Sequence, residues 1–279
     1  MANGLRNEVS EQPPLSRWVR WFFNPAEGST QTLPRPVRII NFAAALLLIA
    51  LFVYAPFTQL TTGWNWATVY QYREKFYQGF VLTIIISVAS LALSTLLGLL
   101  SALAGRSRFL PLRYANRIYI DLVRGTPLLV QILILYYVTA NAFGINDRNV
   151  CGVLILSISY AAYISEVIRA GIESVGKSQL ESAKAIGLST VQTYRYVIFP
   201  QALRQMMPSL AGQLVSLIKD SSLLSIVSVS EFTMNARETS NITFSSFECY
   251  IPLAVGYLLL TLPISFLTRS LEGRSRFET

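Results

Sequence analysis

The sequence predicts an all-α, polytopic membrane fold, and three observations carry that prediction. The chain is 52% hydrophobic and only 14% charged, where a soluble domain carries about 25% charged residues to cover its surface. About six stretches are each close to 20 mostly apolar residues, the length a helix needs to cross a bilayer. The lysines and arginines gather in alternate connections between those stretches. The runs are too long and too continuously apolar for barrel strands, which alternate with period two.

The first 36 residues form a polar tail. Within it, residues 15–23 put Trp18, Val19, Phe22 and Phe23 near one helical side and Arg17 and Arg20 near another. That pattern suits a helix lying on the inner membrane surface, or an unstructured tail with a few aromatics. The first apolar stretch, 37–57, begins too late for the apolar region of a cleavable signal peptide and is expected to stay as a membrane helix. It stands apart from the main transmembrane domain, 80–270. That domain holds five further stretches, at 80–104, 119–140, 150–170, 207–229 and 250–269. On the second stretch, Ser87, Ser90 and Ser94 read as polar glue between packed helices.

Placing the N-terminus inside puts 17 of the 23 Lys and Arg residues in inner segments and four in outer ones. This is the positive-inside bias, and it predicts both termini in the cytoplasm. It also accounts for the net charge of +8 without nucleic acid. The chain has no histidine, so histidine-based catalysis and histidine metal sites are excluded. Its two cysteines are too few for a four-thiolate zinc site. No catalytic residue and no metal ligand is expected. Cys151 and Cys249 fall toward the outer face, within reach of an impermeant thiol reagent, and the sequence leaves open whether they pair.

The longest inner connection, 171–206, reads as two short helices around Gly187, with Pro200 closing the second. It begins Gly171-Ile-Glu-Ser-Val-Gly176-Lys177-Ser178, a match to the phosphate-binding pattern G-x-x-x-x-G-K-[ST]. A working phosphate loop follows a buried strand and opens a helix in an α/β domain. Here a membrane span precedes it and no room remains for a nucleotide domain, so the match reads as a decoy.

Residues 181–200 read Glu181-Ser-Ala183-Lys-Ala-Ile-Gly187-Leu-Ser-Thr-Val-Gln-Thr-Tyr-Arg-Tyr-Val-Ile-Phe-Pro200. Glu181, Ala183, Gly187 and Pro200 resemble, in type and spacing, the coupling-loop signature of ABC-importer permeases. Ser182 stands where that family usually has alanine. A small Ala183 suits close approach of a partner surface, and Gly187 suits a turn. Two more stretches, from Arg124-Gly-Thr-Pro to Gln131 and from Tyr160 to Gly171, resemble the histidine/glutamine type that imports polar amino acids. The resemblance runs from about Phe80 to the C-terminus. It implies a bacterial inner-membrane permease working with an identical or homologous second permease chain, two ATP-binding subunits and an extracytoplasmic solute-binding protein. ATP and magnesium would sit on the partner subunits, with no cofactor on this chain. A secondary transporter or channel for a small polar solute is the competing class. The inverted repeat that a secondary carrier more often shows is not visible.

Ionisable residues inside spans are costly and usually face a cavity or a partner. Glu166 is a candidate to accept a substrate ammonium, or to pair with Arg169 one turn on. Gln131 and Tyr163 offer neutral hydrogen bonds to the same substrate. Lys219 and Asp220 either form a structural pair at a seam between two permease chains or belong to the substrate path. In the latter case Asp220 would cap a helix restarting within the fifth span. Arg124 snorkels toward the headgroups or joins the same path.

Overall fold

The computed structural model describes residues 35–57 and 65–275, and every regular element among them is helical. The tail segment 15–23 lies outside the described residues. Helix α1, Arg35–Phe57, forms a unit by itself and is apolar over Pro36–Phe52. The second unit starts with one turn, α2, Ala67–Gln71. There follow α3 (Arg73–Gly105), α4 (Leu110–Gly125), α5 (Leu128–Ala140) and α6 (Arg148–Glu173). Helices α7 (Lys177–Ala185), α8 (Thr190–Val227), α9 (Phe232–Thr243) and α10 (Ser246–Ser275) complete it. Among the described residues four helices, α3, α6, α8 and α10, are long and apolar enough to cross a membrane, or five when the bent pair of α4 and α5 is counted as one span, against about six expected.

The bend corrects the expected straight span at 119–140. The chain turns by 114° between α4 and α5 at Gly125-Thr126-Pro127. A residue before proline is driven out of the helical region, and Thr126 is extended (φ −116°, ψ 144°) while Pro127 caps α5. A second correction concerns Pro200. It does not close a helix; it sits in the first turn of the main α-helical stretch, Phe199–Asp220, after a π turn over Tyr194–Ile198. The wider π turn lets the helix run through a residue that has no N–H to give. The last part of the coupling loop, from Thr190, and the fifth span are therefore one helix of 38 residues.

The main packing seam joins α3 to α6. Thr83, Ser87, Ser90 and Ser94 of α3 are all fully buried, as expected for the three serines. Ser87 bonds back to the Thr83 carbonyl (2.7 Å), Ser90 donates to the Val153 carbonyl and Ser157 to that of Ser90, both at 3.4 Å. Lipid offers no hydrophobic drive between helices, so close backbone approach and such bonds must hold them. Gly98 permits the approach: a Cβ there would stand 2.8 Å from Ile164 Cγ2 and 3.1 Å from the Ala161 carbonyl.

Helix α9 is pinned at the other end of the bundle. Ser228 turns the chain in the left-handed region (φ 61°), and fully buried Glu231 then caps α9. Its carboxylate accepts from the Thr233 and Met234 amides (2.8 and 2.7 Å) and the Tyr257 hydroxyl (3.0 Å). The Phe232 amide donates to Thr83 Oγ1 at 3.1 Å. The expected exposure of the cysteines is also corrected. Cys151 packs in the cluster with Ile155 and Leu156, and Cys249 in a separate cluster with Phe76 and Phe232. Both thiols are free and buried, because the helix starts that carry them are packing faces as well as loop ends.

Filling Gly98 tests the seam. Gly98→Val should overpack it at a cost of about 1–3 kcal/mol, read as a lower melting temperature of the detergent-purified protein. An unchanged melting temperature would show that α3 and α6 do not meet there.

Candidate functional site

Two polar stripes run along the spans. On α8, Gln205, Ser209, Gln213, Ser216 and Asp220 recur at intervals of three or four residues, which is one helical face. On α6, Ser159, Tyr163 and Glu166 do the same. Where the stripes meet α5, they enclose a cavity of about 260 Å³ that is lined by Gln131, Ser159, Tyr160, Tyr163, Ser216 and Asp220, with Leu128 and Gln213. A second cavity of about 460 Å³ shares Tyr163 and Gln213 with the first and continues to Glu166, Arg124 and Arg169.

Gln131 owes its setting to the α4–α5 bend. A helix end leaves carbonyls unpaired, and the Gln131 amide nitrogen donates to those of Val123 (2.7 Å) and Thr126 (2.9 Å). That fixes the amide and leaves its Oε1 buried with no partner among the described residues; Ser159 Oγ is in the same condition. Buried polar atoms are nearly always paired, and each one left over costs about 1–3 kcal/mol. Two of them lining one cavity are therefore an informative departure. The Tyr160 hydroxyl donates to Asp220 Oδ2 at 2.6 Å, which holds a carboxylate at the same cavity.

The structure brings Gln131, Tyr163 and Asp220 together at the first cavity and places Glu166 on the second. There Glu166 accepts from Arg169 at 2.9 and 3.1 Å and lies 3.4 Å from Arg124. Arg169 also meets Glu173 at 2.6 Å. The Arg124 guanidinium stands 6.0 Å from the centre of the Tyr163 ring. Glu166 is thus already matched by two cations. Lys219 is exposed and lines neither cavity, and no ion pair joins it to Asp220 among the described residues. The capping role expected of Asp220 is corrected: its side chain makes no cap bond, because the chain continues directly into a 3-10 turn over Ser221–Val227. The restart comes later, at Glu231. Sequence reasoning missed Gln213 and Ser216, although the polar periodicity on α8 was there to find them, and it missed Ser159 and Tyr160 on α6.

Next to these cavities in sequence, α7 and the start of α8 form an elbow. Gly187 has φ +79°, a left-handed conformation that glycine tolerates. Glu181 is exposed, as are Ile186 (76%) and Val191 (75%). Ala183 is 3% exposed, so its small side chain serves packing within this chain rather than a partner's approach. A capping box of Ser189 and Gln192 starts α8. Residues 171–178 form the end of α6, a turn and the start of α7, with no strand before them.

A helical bundle crossing a membrane, with a buried polar cavity between its spans and an exposed helical elbow on a connection, defines a permease. The comparisons with known proteins specify which kind. The profile of the family described as "Binding-protein-dependent transport system inner membrane component" matches residues 94–277. The glutamine transport system permease protein GlnP of Escherichia coli K12 is 34% identical over 216 residues, 76% of this chain and 98% of that protein. A probable glutamine ABC transporter permease protein, GlnM, of Bacillus subtilis is 34% identical over 75% of this chain and 97% of its own length. A crystal structure of an amino acid ABC transporter with histidines is 33% identical with a TM-score of 0.70, covering 76% of this chain and all of that one. The MetNI methionine ABC transporter, at 14% identity and a TM-score of 0.59, shares the fold. The chain belongs to the family of binding-protein-dependent transport system inner membrane components, and it is a multi-pass permease of an ABC importer.

The Tyr160–Asp220 bond gives a check on the site. Tyr160→Phe removes one hydrogen bond to a charged group, worth about 1.5–3 kcal/mol. The melting temperature should fall accordingly while membrane insertion is retained. No fall would mean that the bond is not formed in the assembled protein.

Proposed function

We propose that the chain carries a polar amino acid through the cavity formed by α5, α6 and α8, driven by ATP hydrolysed on partner subunits. The observation that supports this most directly is the pair of partnerless buried atoms, Gln131 Oε1 and Ser159 Oγ, beside the Asp220 carboxylate. An amino acid brings an ammonium with three donors and a carboxylate with acceptors only. Asp220 and Gln131 Oε1 accept from the ammonium; the Ser159 hydroxyl donates to the carboxylate. Tyr163 and Gln213 border both cavities and form the passage between them. Glu166, with Arg124 and Arg169 around it, lines the way out toward the cytoplasm. Lys219 has no part in this path. The glutamine permeases among the relatives favour a side chain that can both donate and accept.

The elbow around Gly187 is the surface for the ATP-binding subunits, with Ile186 and Val191 as its apolar contacts and Glu181 as its exposed charge. Each complex holds two ATP-binding subunits, two permease chains and an extracytoplasmic binding protein that delivers the substrate. ATP and magnesium stay on the partners; Lys177 binds no nucleotide. The positive-inside bias supports cytoplasmic termini. Because one helix joins the elbow to the cavity face, movement at the elbow reaches the substrate site directly.

Uptake by the complex reconstituted in liposomes with its ATPase and binding protein tests the cavity. Asp220→Asn should lower uptake roughly 10–100-fold, the loss of a charged hydrogen bond, with ATPase subunits still attached. Uptake at the wild-type rate would remove the cavity from the substrate path. The elbow is tested separately. Gly187→Val forces a β-branched residue into the left-handed region, at about 1–2 kcal/mol or more. It should abolish transport while the chain remains in the membrane; undiminished transport would detach the elbow from coupling.

A further inference from the structure

A third cavity, of about 620 Å³, lies between α4 and the inner end of α6. It takes no part in the substrate path beyond the residues at its edge. Helix α4 buries none of its residues. It is tied down by the Tyr119 hydroxyl, which donates to the Ile158 carbonyl (2.6 Å), and by Asn116, whose Oδ1 accepts from Ser101 at 2.7 Å. At 100° per residue, Arg113, Arg117 and Arg124 fall within about 40° of arc on α4, and all three line the cavity with Arg169 opposite. Four guanidinium groups there meet two carboxylates of the lining, Asp121 and Glu166, and Arg169 also pairs with Glu173 outside it. Glu166 is taken by Arg124 and Arg169, and Asp121 lies 3.9 Å from Arg117. Arg113 meets no carboxylate among the described residues.

Beside this basic face runs an apolar one. Leu110, Tyr114, Ile118 and Leu122 recur every four residues and are 57%, 61%, 59% and 62% exposed. If α5 runs along the bilayer normal, the 114° bend inclines α4 toward the membrane plane. A helix with an apolar face, an arginine-rich face and that inclination is built for the interface between headgroups and acyl chains. We propose that the α4–α6 cavity binds the headgroup of an anionic phospholipid of the inner leaflet. Arg113 and Arg117 bond the phosphate, and the acyl chains lie along the Leu110–Leu122 stripe. Guanidinium forks suit phosphate oxygens, and the stripe favours a lipid over a free phosphate. The leaflet rests on the cytoplasmic placement of the α3–α4 connection given above.

The assembled complex, purified in mild detergent, is exchanged against phosphatidylglycerol or phosphatidylcholine, and the retained lipid is read by native mass spectrometry. The wild type should retain phosphatidylglycerol in preference. R113Q/R117Q should lower that retention roughly thirtyfold, about fivefold for each arginine at a membrane surface, with the ATPase subunits still bound. Where the double variant does not assemble, R113Q alone should give the fivefold loss. R195Q/R204Q, of equal charge and outside the cavity, should keep the wild-type preference. Equal retention of both lipids, or an equal loss in R195Q/R204Q, would overturn the site. Abolition of the preference by excess inorganic phosphate would assign the cavity to a free anion instead. A cysteine at Ile118 that cross-links to its twin in the complex would give the stripe to a second permease chain and also overturn the proposal.

Discussion

A backbone that cannot turn to water for its hydrogen bonds governs this structure. In lipid, each break in a helix frees amides and carbonyls that the protein itself must satisfy. At two of the breaks in the helical runs among the described residues, a side chain takes over from the backbone in this way. Gln131 bonds the carbonyls freed where α4 turns into α5. Glu231 bonds the amides at the start of α9. The first repair has a by-product. Once the Gln131 amide nitrogen is committed to the bend, its oxygen is left for the cavity, so the turn that shapes the bundle also equips the site.

The seam between α3 and α6 is the second support. Serines facing each other at Ser90 and Ser157, and a glycine at Gly98, bring two backbones close enough for dispersion and weak hydrogen bonds to accumulate. In a bilayer such bonds are worth about 0.6 kcal/mol each on average, so no single one holds the bundle. Their number and the closeness of the backbones do. This seam sets the face of α6 that carries Ser159 and Tyr163 toward α5 and α8.

The spans of α3, α6 and α10 were legible from apolar length alone, and Gly187 from its type and position. Three features were harder. The bend at Gly125–Pro127 was masked because an apolar window averages across it, although the Gly-Thr-Pro sequence states it locally. Pro200 looked like a helix stop because a π turn leaves no mark that periodicity can register. Asp220 looked like a cap because an acidic residue before two serines is a common one, whereas burial chose Glu231 eleven residues on. Of the site, Gln131, Tyr163 and Asp220 were found as isolated polar residues in apolar runs. Ser159 and Tyr160 were not, since their meaning depends on which face of α6 the seam leaves open.

The single rod of α8 has a mechanical corollary. Its 38 residues would measure about 57 Å at 1.5 Å per residue, with the elbow at one end and Asp220 near the other. Axial push and axial twist are transmitted along such a rod with only the π turn and Pro208 to soften it, and a twist equivalent to one residue swings a side chain through about 100°. Torque is then the more sensitive signal, since a few degrees at the elbow re-aim the whole row from Gln205 to Asp220. The π turn at Tyr194–Ile198, wound more loosely than the rest, is the compliant section that sets how much of that torque is delivered and how much is absorbed.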